Sequence, residues 1–221
     1  MQSLLSNFSI LKPGSVMKKI LVAAMAMSCL GIAHAKNDSI DINPLAKLIG
    51  VWEGDKGIDV APAQKKAGLP PGSAASSPYF EKIVITDGPG ATNASEQDLV
   101  SVSYHQQVFR KSDNKLFHDQ IGYWIWDKKN NMIIDSFCIP RGVCATAEGK
   151  LKNQNAFNVS TSGPFAEHSF MQKNGKTHEF SIDLSLNQDG TLTYSQKTSL
   201  TVYGKKFVHV DSSTLRKKSE M

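Results

Sequence analysis

From residue 50 to residue 216 the chain repeats one pattern: a short segment rich in Val, Ile, Thr, Phe and Tyr, then a small cluster of Gly, Asn, Asp or Lys. Alternation of that length is the mark of antiparallel strands. The segments fall at 50–58, 79–86, 98–110, 116–128, 131–138, 143–149, 155–162, 165–173, 177–187, 191–202 and 206–216. Several joints specify their own turn, among them Ser112-Asp113-Asn114-Lys115, Lys128-Lys129-Asn130-Asn131, Lys173-Asn174-Gly175-Lys176, Asn187-Gln188-Asp189-Gly190 and Tyr203-Gly204-Lys205. Asn and Gly there supply the positive φ that tight hairpins require. Consecutive hairpins with no crossover helix leave a sheet that must close on itself or expose its edges. The expected fold is therefore all-β, an up-and-down antiparallel barrel of about ten strands.

One helical turn is expected, over 43–49, with Asn43 as N-cap and Pro44 at the first helical position, plugging one barrel end. The stretch 61–78, with Pro70-Pro71-Gly72 and Ser/Ala repeats, reads as a long irregular loop over the mouth.

Ahead of the barrel, Met17-Lys18-Lys19, an apolar stretch from Ile20 to Ala33 and the closing Ala33-His34-Ala35 follow the order of a secretory signal peptide. The expectation is a signal over 1–35, with translation starting at Met17 and cleavage after Ala35. Residues 36–221 then form a single exported domain, periplasmic or secreted, a monomer or homodimer. About 14 apolar residues fall short of the ~20 that span a bilayer, so no transmembrane segment is expected to persist after cleavage.

The formal charge of +5 invites a nucleic-acid reading. Lys12, Lys18 and Lys19 lie in the signal, and removing those three from the 25 basic residues leaves 22 against 20 acidic ones. That balance offers no footprint for a polyanion. After the signal only Cys138 and Cys144 are left, separated by Ile-Pro-Arg-Gly-Val. Pro140 and Gly142 favour a turn that brings the two together, so a hairpin disulfide is expected, with two free structural thiols as the alternative.

Leu45-Ala46-Lys47-Leu48-Ile49-Gly50-Val51-Trp52-Glu53-Gly54 resembles the opening of calycin barrels, where a Gly-x-Trp strand closes the barrel floor. Lys115-Leu116-Phe117-His118-Asp119-Gln120-Ile121-Gly122-Tyr123-Trp124 resembles the His-x-Glu-x-Gly-Tyr segment of the nitrobindin family, with Phe117, Asp119 and Gln120 as local variants. Asp189-Gly190-Thr191 and then Val202-Tyr203-Gly204 through His209 to Leu215 look like that family's last hairpin, and 78–85 fits its second strand. The resemblance touches most of 45–216. It implies a haem b cofactor, His209 as axial ligand to the iron, His118 across the cavity, and Trp124 and Phe207 shaping the pocket. It also implies chemistry with nitric oxide or peroxynitrite, including a haem-dependent peroxynitrite isomerase. The signal peptide and the cysteine pair depart from the cytosolic members. A metal-free carrier of a small hydrophobic ligand, in the manner of fatty-acid-binding proteins and lipocalins, is the alternative.

Alternation places His118, Gln120, Gly122, Trp124 and Trp126 with Leu116 on one face, and Phe117, Asp119, Ile121 and Tyr123 on the other. His209 likewise shares a face with Phe207 and Asp211, opposite Val208 and Val210. Sequence leaves open which of these faces is the lumen. No hydrolase, Walker or dinucleotide motif is present, and the acids show no clustering along the chain that suggests a paired-carboxylate site.

Overall fold

A computed structural model describes residues 43–219, so the signal over 1–35 and the start at Met17 lie outside the described residues. A 3-10 turn, Ala46–Leu48, leads into β1 (Gly50–Pro62). Then follow β2 (Ala74–Asp87), β3 (Ala91–Asn93), β4 (Gln97–Arg110), β5 (Leu116–Asp127), β6 (Met132–Ile139) and β7 (Val143–Asn153). The chain continues through β8 (Ala156–Thr161), β9 (Ala166–Glu167), α1 (Ser169–Asn174), β10 (Gly175–Leu186), β11 (Thr191–Val202) and β12 (Lys205–Lys217).

Ten of the strands form a closed antiparallel ring in the order β2-β1-β12-β11-β10-β8-β7-β6-β5-β4, sealed by the pairing of β2 with β4. The short strands β3 and β9 are appended to β4 and β7. Closure joins the first strand to the last, with Asp59 paired to Asp211 and Val60 to Val210. Positive φ at Asn114, Asn131, Gly190 and the pair Tyr203-Gly204 turns four of the hairpins, as their sequences dictate.

The floor of the barrel is apolar. Leu45, which caps the 3-10 turn, and Leu48 within it are buried there with Trp52, Ile85, Val102, Trp124, Ile133, Leu192 and Leu215. The Trp52 indole donates to the Leu48 carbonyl at 2.7 Å and so ties plug to wall. The N-cap falls at Leu45 and the first helical position at Ala46, not at Asn43 and Pro44 as expected, and the Asn43 side-chain oxygen accepts from the Leu45 N–H at 3.0 Å.

Three further expectations need correction. The segment 61–78 is not one irregular loop: β1 continues to Pro62 and β2 begins at Ala74, with Ala61 paired to Ala75 and Ile58 to Pro78. Pro78 is accommodated in the ladder, and only 63–73 forms the connecting loop. A strand over 165–173 is replaced by the two-residue β9 and by α1, a second helical element. Lys173-Asn174-Gly175-Lys176 therefore joins helix to strand rather than strand to strand, Gly175 closing α1 through its N–H to the Met171 carbonyl. Ser169-Phe170-Met171-Gln172 carries no period-2 alternation of buried and exposed positions, and Phe170 stands 62% exposed.

The two cysteines face each other across β6 and β7 with their Cα atoms 4.1 Å apart and their sulfurs bonded. This disulfide staples the turn that carries Arg141 at the open end of the barrel.

Candidate functional site

Burial settles which face is the lumen. Along β5, Gln120, Trp124 and Trp126 are buried while Ile121 and Tyr123 are exposed, so His118, two residues before Gln120, points inward. Along β12, Ser213 and Leu215 are buried and Val208 is 54% exposed, which places Phe207, His209 and Asp211 inside as well. Both histidines lie in the mouth half of their strands, above the apolar floor. A bulge opposite Val108 and Phe109 interrupts the alternation in β5 at Phe117. Phe117 consequently meets the inward Tyr79 ring edge-on, with centroids 6.4 Å apart, while Leu116 is 40% exposed.

Around His209 the chain assembles groups that are far apart in sequence. Its Nε2 lies 2.5 Å from Asp59 Oδ1 on the neighbouring strand. Asp211, two residues along the same inward face, accepts from Gln196 Nε2 at 3.2 Å. Burial alone would pull the imidazole of His209 down, but the Asp59 hydrogen bond and the charges of Asp211 and Asp59 outweigh it and hold the group above its ordinary value. Burial pushes Asp211 up to about 7, against the favourable charge of His209 and with that of Asp59.

His118 behaves in the opposite way. Burial lowers it to about 4, and the Arg141 guanidinium and His209 add to the effect. It is a neutral imidazole through the whole physiological range, and it shares the electrostatic field of His209, Asp59 and Arg141.

Deeper in the barrel than these inward histidines runs a polar layer. Tyr79 and Tyr194 bring their hydroxyls to 2.7 Å, and Tyr194 reaches Glu81 Oε2 at 3.0 Å. Gln106 donates to the same Glu81 oxygen at 2.8 Å. Glu81 is 2% exposed, and burial raises its carboxyl above the ordinary range despite those hydrogen bonds. Its other oxygen, Oε1, has no hydrogen-bond partner, and neither has the nearby Ser213 hydroxyl.

Gly57 makes room for Tyr79. The two residues are paired across β1 and β2, and a Cβ on Gly57 would overlap the Tyr79 ring. Gly57→Ala is expected to displace that ring and cost about 1–3 kcal/mol, the range for overpacking a core. Urea denaturation checks the loss, and a near-UV circular dichroism change reports the displaced tyrosine.

The structure thus brings His209, His118 and Phe207 to one end of the lumen and separates Trp124 from them. Trp124 is 3% exposed and stacks on Tyr104 at 4.5 Å, with Phe157 edge-on at 5.9 Å, so it belongs to the packed interior. The acids also correct the sequence expectation: Asp59 and Asp211 do cluster, through pairing of the first strand with the last. Alternation already placed Asp211 with His209, but Asp59 lies 150 residues away along the chain, and only barrel closure joins them. Arg141, Tyr79, Glu81 and Tyr194 were likewise unmarked in the sequence. His105, by contrast, is turned outward and pairs with Asp119 at 3.0 Å.

A family model described as the THAP4-like, heme-binding beta-barrel domain matches residues 41–217. Among solved structures, Rv2717c from M. tuberculosis superposes with a TM-score of 0.54 at 15% identity, covering 80% of this chain and 99% of that one. The S-type phycobiliprotein lyase CPES from Guillardia theta gives a TM-score of 0.45 at 10% identity, covering 80% and 92%. No curated protein matches the chain by sequence. At such identities the structural likeness to Rv2717c bears on the fold alone.

Proposed function

The chain belongs to the THAP4-like, heme-binding beta-barrel family, and on that premise we propose that it is an exported protein that binds haem b at the barrel mouth with His209 as the axial ligand. The observation that carries this reading is an inward histidine on the last strand, close enough to a second inward imidazole, the neutral His118, for each to feel the other electrostatically.

The donor set fits the group in kind. Haem iron takes an imidazole ligand, and barrel residues can tune it through hydrogen bonding and burial. Phe207 and Phe117 offer aromatic surface near the mouth, and Arg141 offers a cation at the rim for an anionic side group. The Nε2 of His209 is engaged by Asp59, so ligation through that nitrogen requires Asp59 to give way. Bound there, haem would supply iron-centred chemistry toward nitric oxide or peroxynitrite. The chain's own part is to hold the imidazole, to keep His118 uncharged on the open side and to limit water with the aromatic residues.

A fatty acid is poorly served by the same end of the lumen, since Asp59, Asp211 and Glu81 would face an apolar tail or a carboxylate head. Hemin titration of the purified protein beside His209→Ala tests the reading. A saturable one-to-one Soret shift that is lost in the variant is the expected result, and an equal shift in both would overturn the axial assignment. Export is tested separately by sequencing the amino terminus of the protein recovered from the producing cells, where Lys36 is the expected first residue.

A further inference from the structure

The surroundings of His209 hold more carboxyl groups than an imidazole ligand to haem calls for. Asp59, His209 and Asp211 each bring a ligand atom within 4.8 Å of the others. Among the described residues the buried charged side chains are Asp59, Glu81, Asp127 and Asp135, with no lysine or arginine among them. Beside the cluster, Glu81 is 2% exposed and leaves Oε1 without a hydrogen-bond partner, and its charge is felt at Asp211. Three ligating side chains from adjacent strands, with a further buried carboxyl beside them whose Oε1 is unpartnered, form a donor set that a bound cation would complete.

We propose that Asp59, His209 and Asp211 form a binding site for a divalent first-row transition-metal ion, with one imidazole nitrogen and two carboxylates as ligands. This goes beyond haem binding and does not rest on it, because the two carboxylates are ligands here and bystanders there.

The residue types select the class of ion. One nitrogen and two oxygens suit Zn²⁺, Fe²⁺ or Mn²⁺, and the absence of a thiolate from the set argues against a soft-metal site. Ca²⁺ prefers six to eight oxygen ligands, and Mg²⁺ is seldom held by imidazole. The backbone supplies the rigidity: Asp59 and Asp211 are paired directly across β1 and β12, and His209 is two residues along the same face. An ion at about 2.0–2.2 Å from each ligand holds neighbouring donors roughly 3–4 Å apart. The ligand atoms of this cluster, all within 4.8 Å of one another, lie close to that span. His209 and Asp59 retain 25% and 10% side-chain exposure, which leaves a route from the mouth. Three protein ligands also leave coordination positions open to water or a small molecule.

The test is titration of the chelator-treated full chain with Co²⁺ and Zn²⁺, without haem. One equivalent of Co²⁺ producing visible d–d absorption, displaced by Zn²⁺, is expected. Asp211→Asn and Asp59→Asn should each weaken binding by about tenfold or more. Near-UV circular dichroism establishes that each variant is folded, and if Asp59→Asn does not fold, Asp211→Asn decides alone. Wild-type protein that takes up no stoichiometric Co²⁺, or Asp211→Asn that binds it as the wild type does, overturns the proposal. Hemin titration of the same samples keeps the two readings apart. A Soret shift without Co²⁺ binding leaves haem and removes the cation site, and Co²⁺ binding without a Soret shift does the reverse. Where both bind, the shared His209 requires that Zn²⁺ and hemin compete.

Discussion

Trp52→Ala is expected to remove about 3–5 kcal/mol of stability, the range for deleting a buried tryptophan. The indole is 1% exposed at the floor of the barrel, so its removal leaves a cavity among rigid strands that cannot collapse into it. Two further contacts disappear with it. The Leu48 carbonyl loses the indole N–H that it accepts at 2.7 Å, and the Lys217 ammonium loses the ring it covers at 5.6 Å. The first tethers the 3-10 plug, and the second lies at the β1–β12 seam, where Trp52 pairs with Lys217. Urea denaturation followed by far-UV circular dichroism gives the size of the loss. Trp52→Phe separates the two causes, because it keeps much of the packing and abandons only the hydrogen bond; it should lose about 1–3 kcal/mol. A loss below about 1 kcal/mol for the alanine variant would mean that the plug is outside the cooperative unit.

Legibility in the sequence divides along a physical line. Features set by neighbours in the chain could be read: the hairpins, whose Asn and Gly carry the required φ, the Gly-x-Trp opening, and the Cys138–Cys144 bridge across a single turn. Features set by closure could not. Asp59 and Asp211 meet only because the first strand pairs with the last, and Arg141, in the turn between β6 and β7, reaches the field of His118 only in the closed barrel. Phe117 escaped for a different reason. A one-residue bulge opposite Val108 and Phe109 breaks the period of two, and every inference from strict alternation stops at that point. The choice of lumen face also needed burial, since the inward face of β12 carries His209, Asp211 and Ser213, residues that in an isolated strand would be assigned to solvent. A barrel that keeps polar groups inside reverses the usual rule, and its site residues are hidden by that reversal.

The same reversal gives the fold an unusual dependence on pH, and Asp135 is where it can be isolated. This carboxyl is wholly buried, with Oδ1 accepting from the Tyr104 hydroxyl at 2.9 Å and Oδ2 without a hydrogen-bond partner. Burial pushes it up to about 7, against the lowering effect of Tyr104 and of the nearby Trp124 indole. Its folded value therefore lies above its unfolded one, and the folded state holds a proton that the unfolded chain gives up. Stability from this group is complete below about pH 4 and falls as pH rises to about 7, by roughly 1.4 kcal/mol per unit and roughly 4 kcal/mol in all. Glu81 and Asp211, also raised, act in the same direction. His118, lowered to about 4, opposes them, because below its ordinary value the unfolded imidazole takes a proton that the folded one refuses. Asp135→Asn removes one titration and leaves the others in place, so the difference between wild type and variant isolates it. Measured by urea denaturation, the variant should be the less stable protein at pH 5 and should gain on the wild type by about 3 kcal/mol between pH 5 and pH 8. A difference that stays constant over that interval would mean that Asp135 is already ionised at pH 5, with its charge solvated by groups the buried core does not otherwise supply.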